Sequence, residues 1–243
     1  MKTGSRHRYA LESELCEALA SAARALRWRV YAETGGWDLL LERGDDLQVG
    51  VQAKLRPTVK VLAQAVDVIL RQRHGPEVIA VLVPFSDGDF GAVAHACSVV
   101  VLVPDWTSDI ARESLRFIIE HAPRHSFESP CWSPEFETRG IVAGSPSPRS
   151  MTPWRASALK ACALLEVRGY LTTRDLRDLR LAPQFWRERM KLDGKIGRLH
   201  RLIRKAGVAL PSDWTPEDFE PYRQAAIEEA ARQEKRRDAL FEA

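Results

Sequence analysis

Apolar positions recur every three to four residues from Leu11 to Leu26. Leu11, Leu15, Ala18/Leu19, Ala22 and Leu26 share one face, which predicts an amphipathic helix. The period then drops to two. Arg27 to Glu33 alternates as a strand does, Thr34-Gly35-Gly36 signals a turn, and Trp37 to Leu41 reads as a second strand. After the polar turn Arg43 to Asp46, Leu47 to Leu55 is a third strand, ended by Pro57. Helical spacing returns from Val59 to Arg73, with Val61/Leu62, Ala65/Val66 and Ile69/Leu70 on one side. Two short apolar runs, Val78 to Val83 and Ser98 to Val103, read as buried strands flanking a short helix over Phe90 to Cys97. The order α-β-β-β-α-β-α-β predicts an α/β unit with a mixed sheet.

From His121 to Ser150 the pattern breaks. Pro123, Pro130, Pro134, Pro146 and Pro148, with GSPSP at Gly144 to Pro148, read as a linker. Beyond it Trp154 to Val167, Thr173 to Leu179, Gln184 to Met190 and Lys195 to Lys205 all carry helical spacing, and Pro216 to Ala243 reads as a last charged helix entered through Thr215-Pro216. The expected organisation is an α/β domain over residues 1–120, a linker over 121–150 and an all-α domain over 151–243.

Composition changes this picture only when divided along the chain. The 243 residues sum to a net charge of +3, with 45% hydrophobic and 28% charged residues, as in ordinary globular proteins. Residues 149–205, however, hold 15 Lys/Arg against 5 Asp/Glu, a net +10, whereas residues 1–148 are net −3 and residues 206–243 net −4. No apolar run is long enough for a membrane span. Glu12, Glu14 and Glu17 follow the basic start, so the N-terminus does not read as a signal peptide. Cys16, Cys97, Cys131 and Cys162 are widely spaced and form no CxxC pair, which points to reduced thiols in a cytoplasm. P-loop, GxSxG and GxGxxG patterns are all missing, which disfavours nucleotide hydrolysis and Rossmann-type dinucleotide chemistry.

Polar residues embedded in apolar strands carry the candidate chemistry. Asp38 opens the second strand directly after the Gly-Gly turn, and Gln52-Ala53-Lys54 lies near the end of the third. Gln52 and Lys54 share a face by strand alternation, and a hairpin can bring Asp38 beside them. A carboxylate with neutral oxygens suits Mg²⁺ or Mn²⁺, taken here as Asp38, the Gln52 amide oxygen and the Ala53 carbonyl. A lysine beside such an ion can orient the attacking water and balance charge developing at phosphorus. Glu14 on the preceding helix is the candidate assisting carboxylate, with Glu12 and Glu17 as plausible substitutes. Glu33 is another candidate, and Gln64 on the following helix is a solvated-face alternative.

These residues together resemble the PD-(D/E)XK nucleases: Glu14 in ESELCEAL, Asp38 in GGWDLLL, and Gln52 and Lys54 in VQAKLR. Glutamine in place of the usual acid is similar to the QxK variants of that superfamily, and Trp37 stands where proline often precedes the aspartate. The resemblance covers roughly residues 8–103. It implies a restriction-endonuclease-like αβββαβ core, metal-dependent phosphodiester hydrolysis, DNA as substrate and pairing of two copies as a homodimer.

The basic window supplies a grip on a polyanion. Arg174, Arg177, Arg187, Arg189, Lys195, Arg198, Arg201, Arg204 and Lys205 are the candidate DNA contacts, expected on a helix-turn-helix-like module whose last helix has a basic face. Two other functions fit the same residues. One is a nuclease-like domain without catalysis that binds DNA as a regulator, favoured by Gln52. The other is an assembly protein whose basic helices bind a partner protein.

Overall fold

The computed structural model describes residues 9–44, 47–138, 141–144, 150–181, 188–210 and 214–241, the last nine of these as helical backbone only. The chain divides into two compact units, Met1–Met151 and Thr152–Ala243.

The first unit is a mixed α/β layer structure. It runs α1 (Glu12–Ala25), β1 (Arg29–Thr34), β2 (Trp37–Arg43), β3 (Leu47–Ala53), α2 (Val59–Arg71), β4 (Val78–Leu82), α3 (Gly88–Ala96), β5 (Val100–Leu102) and α4 (Asp109–Glu120). The five strands lie in sequence order. The β1-β2-β3 meander is antiparallel, and β3-β4-β5 is parallel. Tight turns suffice for the antiparallel steps, whereas each parallel step needs the helical crossover that the sequence pattern predicts. All five residues of β4 are buried, as expected for a strand covered on both faces.

One apolar cluster joins Tyr31, Leu40, Ile79 and Val81 of the sheet to Val61, Leu62 and Ala65 of α2 and to Phe90 and Ala94 of α3. The other sheet face receives α1 through Leu15, Cys16 and Leu19, all fully buried. Helix α4 contributes Leu115 and Ile119. The pattern reading had no element there, although the Ser108 cap and the Leu115/Ile119 spacing mark one.

The stretch expected as a linker belongs in large part to the first unit. The Gln48 side chain, itself buried, forms two bonds to one residue of that stretch. Its Nε2 donates to Cys131 O at 2.9 Å and its Oε1 accepts from Cys131 N at 2.7 Å. The same Nε2 donates to Glu42 Oε1 at 2.7 Å, and Tyr31 Oη donates to Glu42 Oε2 at 3.0 Å. Further on, Thr138 Oγ1 bonds Ala32 N and Met151 N donates to Glu33 O at 3.0 Å, so the outer edge of β1 is partly covered. Among the described residues of this stretch there is no helix or strand beyond the single bridge His74↔Ser129, yet the segment is packed.

In the second unit the all-α expectation is corrected. The order is α5 (Pro153–Arg168), β6 (Leu171–Thr172), α6 (Thr173–Leu179), β7 (Met190–Ile196), β8 (Leu199–Arg204) and α7 (Pro216–Phe241), with a three-stranded antiparallel sheet in the order β6-β8-β7. The expected helix Lys195–Lys205 is instead the end of β7, the turn and β8 of a hairpin. Gly194 and Gly197 both take positive φ, at 84° and 56°, and the pair Ile196↔Leu199 closes a two-residue turn on Gly197-Arg198. A helix cannot hold either glycine in that conformation, so the every-third-residue arginines are divided between the turn and a strand. Of the expected helix Gln184–Met190, residues 184–187 lie outside the described residues, Glu188 and Arg189 are helical, and Met190 begins β7. Thr152 and Thr172 cap the N-termini of α5 and α6, and Gly169, at φ 74°, closes α5.

The entry of β2 depends on one close approach. A Cβ on Gly50 of β3 would overlap both the Trp37 indole and the Pro76 ring. Replacing Gly50 with alanine is therefore expected to cost about 1–3 kcal/mol through overpacking. Urea unfolding should show a lower midpoint with an unchanged slope.

Candidate functional site

The β2-β3 ladder ends at the pair Leu39↔Val51. Beyond it the Asp38 carboxylate stands where a strand acceptor would, and Oδ2 accepts Ala53 N–H at 2.7 Å. Asp38 can do this because Trp37, the preceding residue, is anchored in the apolar cluster over Gly50. β3 meanwhile turns to its other neighbour, with Lys54 N donating to Leu82 O at 2.9 Å. The two strands part at this end, and their polar residues border an open cavity.

That cavity, of about 610 Å³, is walled by Glu12, Asp38, Lys54, Val142 and Gly144 among others. Lys54 Nζ donates to Glu12 Oε2 at 2.7 Å, an ion pair with both side chains about one-third exposed. Glu33 adjoins the site: Gly144 N donates to its Oε1 at 2.8 Å.

Burial pushes the Asp38 carboxyl above the usual range, and Glu12 adds to the rise, while the Ala53 N–H and the Lys54 ammonium oppose it. Glu33 is raised as well, chiefly by burial and secondarily by Asp38, against the Gly144 N–H and Lys54. Burial, then the charges of Asp38, Glu33 and Glu12, drives the neighbouring Cys16 thiol far up, so it stays protonated and unreactive at neutral pH.

The expected residues separate into those that meet here and those that do not. Asp38 and Lys54 share the cavity wall, and the Ala53 backbone lies against the Asp38 carboxylate. Gln52 is not part of that wall, since its Nε2 donates to Gly36 O at 2.8 Å and its amide is tied to the β1-β2 turn. Glu14 is occupied elsewhere. Its Oε2 accepts Ala10 N and Leu11 N at 2.6 and 3.2 Å and caps the first turn of α1. The helix carboxylate that reaches Lys54 is Glu12, one of the substitutes for Glu14 that the sequence offers. Position was the available signal: Glu12 is the first residue of α1, and Asp38 and Lys54 stand at the strand ends nearest it. Gln64 is exposed on α2.

Among the described residues no three His, Cys, Asp or Glu side chains gather so as to hold a metal ion by themselves. Asp38, with Oδ2 bound to a backbone amide, presents one carboxylate to a roomy open cavity of mixed lining. That suits an ion such as Mg²⁺, which keeps several waters and binds through one or two carboxylates.

In the second unit the basic residues distribute over α6 and the β7-β8 hairpin. Lys195, Arg198 and Arg204 are exposed, as are Lys191 beside them and Arg174 and Arg177 on α6. Beyond Met190 every residue of β7 is exposed, so β7 is an open edge strand, whereas β8 is mostly half-buried between it and β6. Arg201 is held, with its guanidinium 5.0 Å from the Tyr170 ring centre and 3.4 Å from Asp193. Arg189 pairs with Glu188 at 3.4 Å, and its carbonyl accepts Lys205 N at 2.8 Å. Arg187 lies outside the described residues. Arg174 sits 3.6 Å from Asp178 one helical turn away, in an exposed pair of small energetic weight.

No family model, curated protein or solved structure matches the chain. Among the described residues no helix is long and apolar enough to cross a membrane.

The raised Asp38 carboxyl has a consequence for stability. A folded-state pKa above the unfolded value stabilises below the unfolded pKa, and that contribution is lost as pH rises through the folded pKa. Asp38→Asn keeps an acceptor for Ala53 N–H and removes the buried charge. Its melting temperature should exceed that of the wild type at pH 7, and thermal melts should show the gap narrowing as pH falls towards 4.

Proposed function

We propose that the first unit is a PD-(D/E)XK-like nuclease domain of the QxK type and that the chain hydrolyses DNA phosphodiester bonds with Mg²⁺ or Mn²⁺. The observation that carries this reading is the convergence of Asp38 and Lys54 on one open cavity where β2 and β3 part. The αβββαβ order with a mixed sheet supports it too, because the restriction-endonuclease-like core uses that succession.

Asp38 would hold the ion, with the Ala53 carbonyl beside it. When bound, the ion supplies Lewis-acid polarisation of the scissile phosphate. Lys54 would orient the attacking water and offset charge developing on the phosphoryl oxygens, and Glu12 would hold Lys54 in position. The basic hairpin and α6 of the second unit would bind the substrate backbone. A two-stranded ribbon fits the major groove, and Lys191, Lys195, Arg198 and Arg204 are exposed to meet phosphates.

A second reading rests on two contacts. Lys54 is already paired with Glu12, and the Gln52 amide is tied to Gly36. A domain that binds DNA without cutting it, acting as a regulator, would tolerate both.

Cleavage of linear and branched DNA with Mg²⁺ or Mn²⁺ separates these readings. Asp38→Ala and Lys54→Ala should each lower the rate about 100-fold or more while the circular dichroism spectrum is retained. Cleavage that survives both substitutions would overturn the site. Absence of cleavage together with steeply salt-dependent binding would favour the regulator.

The hairpin carries its own expectation. Lys195→Ala and Arg198→Ala should each weaken DNA binding and flatten the dependence of log affinity on log salt by about one unit per lost phosphate contact. Titration by fluorescence anisotropy at several salt concentrations reads both.

A further inference from the structure

Three aliphatic side chains share the cavity wall with Glu12, Asp38 and Lys54: Leu11, Leu55 and Val142. They come from three places in the first unit. Leu11 is the N-cap of α1, Leu55 follows Lys54 as the chain leaves β3, and Val142 belongs to the segment 141–144. Leu11 and Val142 are 59% and 62% exposed, and Leu55 is half-buried. Single exposed aliphatic residues are ordinary on a protein surface. Three around one charged opening form walls that a phosphate and a metal ion would leave untouched.

The Val142 wall is held from two sides. Gly144 N donates to Glu33 Oε1 at 2.8 Å. Gly144, at φ 68°, also sits hard against α1, because a Cβ there would lie 3.0 Å from the Glu12 carbonyl carbon and 3.1 Å from Cys16 Sγ. Such a wall stands before any ligand arrives, which lowers the cost of binding.

We propose that these aliphatic walls receive the nucleobase next to the scissile phosphate, so that the chain cuts DNA at unpaired nucleotides, in single strands or flaps, rather than within intact duplex. The inference rests on the nuclease reading above and adds the form of the substrate. Size agrees with it: about 610 Å³ lies within the range of sites for compact ligands, enough for a nucleotide but not for a double helix. Pairing supplies the selection. In duplex the base faces are stacked and their edges paired, so the protein meets only sugar and phosphate and the aliphatic walls stay wet. An unpaired base can turn out at little cost and lay its face on apolar side chains. Leucine and valine carry no hydrogen-bonding group in the side chain, so these walls tell unpaired from paired without reading which base is present. The duplex arm of a flapped substrate remains available to the basic hairpin of the second unit.

Initial rates with Mn²⁺ on one sequence, presented as a single strand, as a blunt duplex and as a duplex with an unpaired flap, test this. kcat/KM for the single strand and the flap should exceed that for the duplex about tenfold or more. Leu11→Ser and Val142→Ser should each lower kcat/KM on the single strand about 3- to 10-fold, chiefly through KM, with a smaller loss on duplex. Neither change threatens the fold, since serine is a favoured N-cap and Val142 is exposed. Val93→Ser, at a position 48% exposed on α3, should leave the preference as it is. Equal rates on paired and unpaired substrates, a faster rate on duplex, or a preference that survives both wall substitutions would overturn this inference and leave the nuclease reading standing. No cleavage of any of the three would overturn the nuclease reading, and this inference with it.

Discussion

The hydrogen bond from Ala53 N–H to the Asp38 carboxylate is the constraint on which the site depends. A strand that leaves its ladder exposes a backbone donor, and an unmet donor away from water costs about 1–3 kcal/mol. Asp38 meets that donor with a charged acceptor, which allows β2 and β3 to part without loss. The separation opens the cavity, leads the chain to Lys54, and sets Lys54 beside the first residue of α1. The residue that terminates the pairing is thus the residue that lends the opening its negative charge. Burial acts against that charge, so the carboxylate sits in a less favourable environment than it would in water. A bound cation would relieve the same penalty.

Much of the first unit was legible because its elements obey clean periods. The stripe Leu15, Leu19, Ala22 on α1, the alternating strands around Gly35-Gly36, and the stripe Val61, Leu62, Ala65 on α2 all stand where pattern puts them. The pair Asp38 and Lys54 was legible as polar residues bounding apolar strands. The choice between Glu12 and Glu14 was not. Both lie in the first turn of α1, and only the capping geometry decides that Glu14 turns back to Ala10 while Glu12 reaches across to Lys54. Gln52 misled for a related reason. Alternation gives the side of a strand, but the nearest open carbonyl, that of Gly36, decides where a long amide settles.

The second unit shows the limit of counting charges at helical intervals. Arg198, Arg201 and Arg204 recur every three residues, which a helix would gather on one face. Gly194 and Gly197 override that count with two left-handed backbone positions and make a ribbon. Arg198 then lies in the turn, and Arg201 and Arg204 lie on opposite faces of β8, where Arg201 is engaged with Tyr170 and Asp193. The net +10 of residues 149–205 survives this rearrangement, because it is a property of composition. Its spatial form does not, because that is decided by backbone geometry at two glycines.

The Gln48 amide, offering one donor and one acceptor to Cys131, imitates a peptide group. A side chain thereby stitches a proline-rich segment to the sheet across 83 residues of chain. The β1-β2-β3 meander closes through turns of a few residues and can assemble early, whereas this stitch must await closure of a long loop. Late docking of residues 127–138 onto a preformed meander follows from the arrangement. In a chain still emerging from synthesis, the half-made molecule would carry Glu42 and Gln48 as open polar groups, wet and harmless, until the segment that covers them arrives.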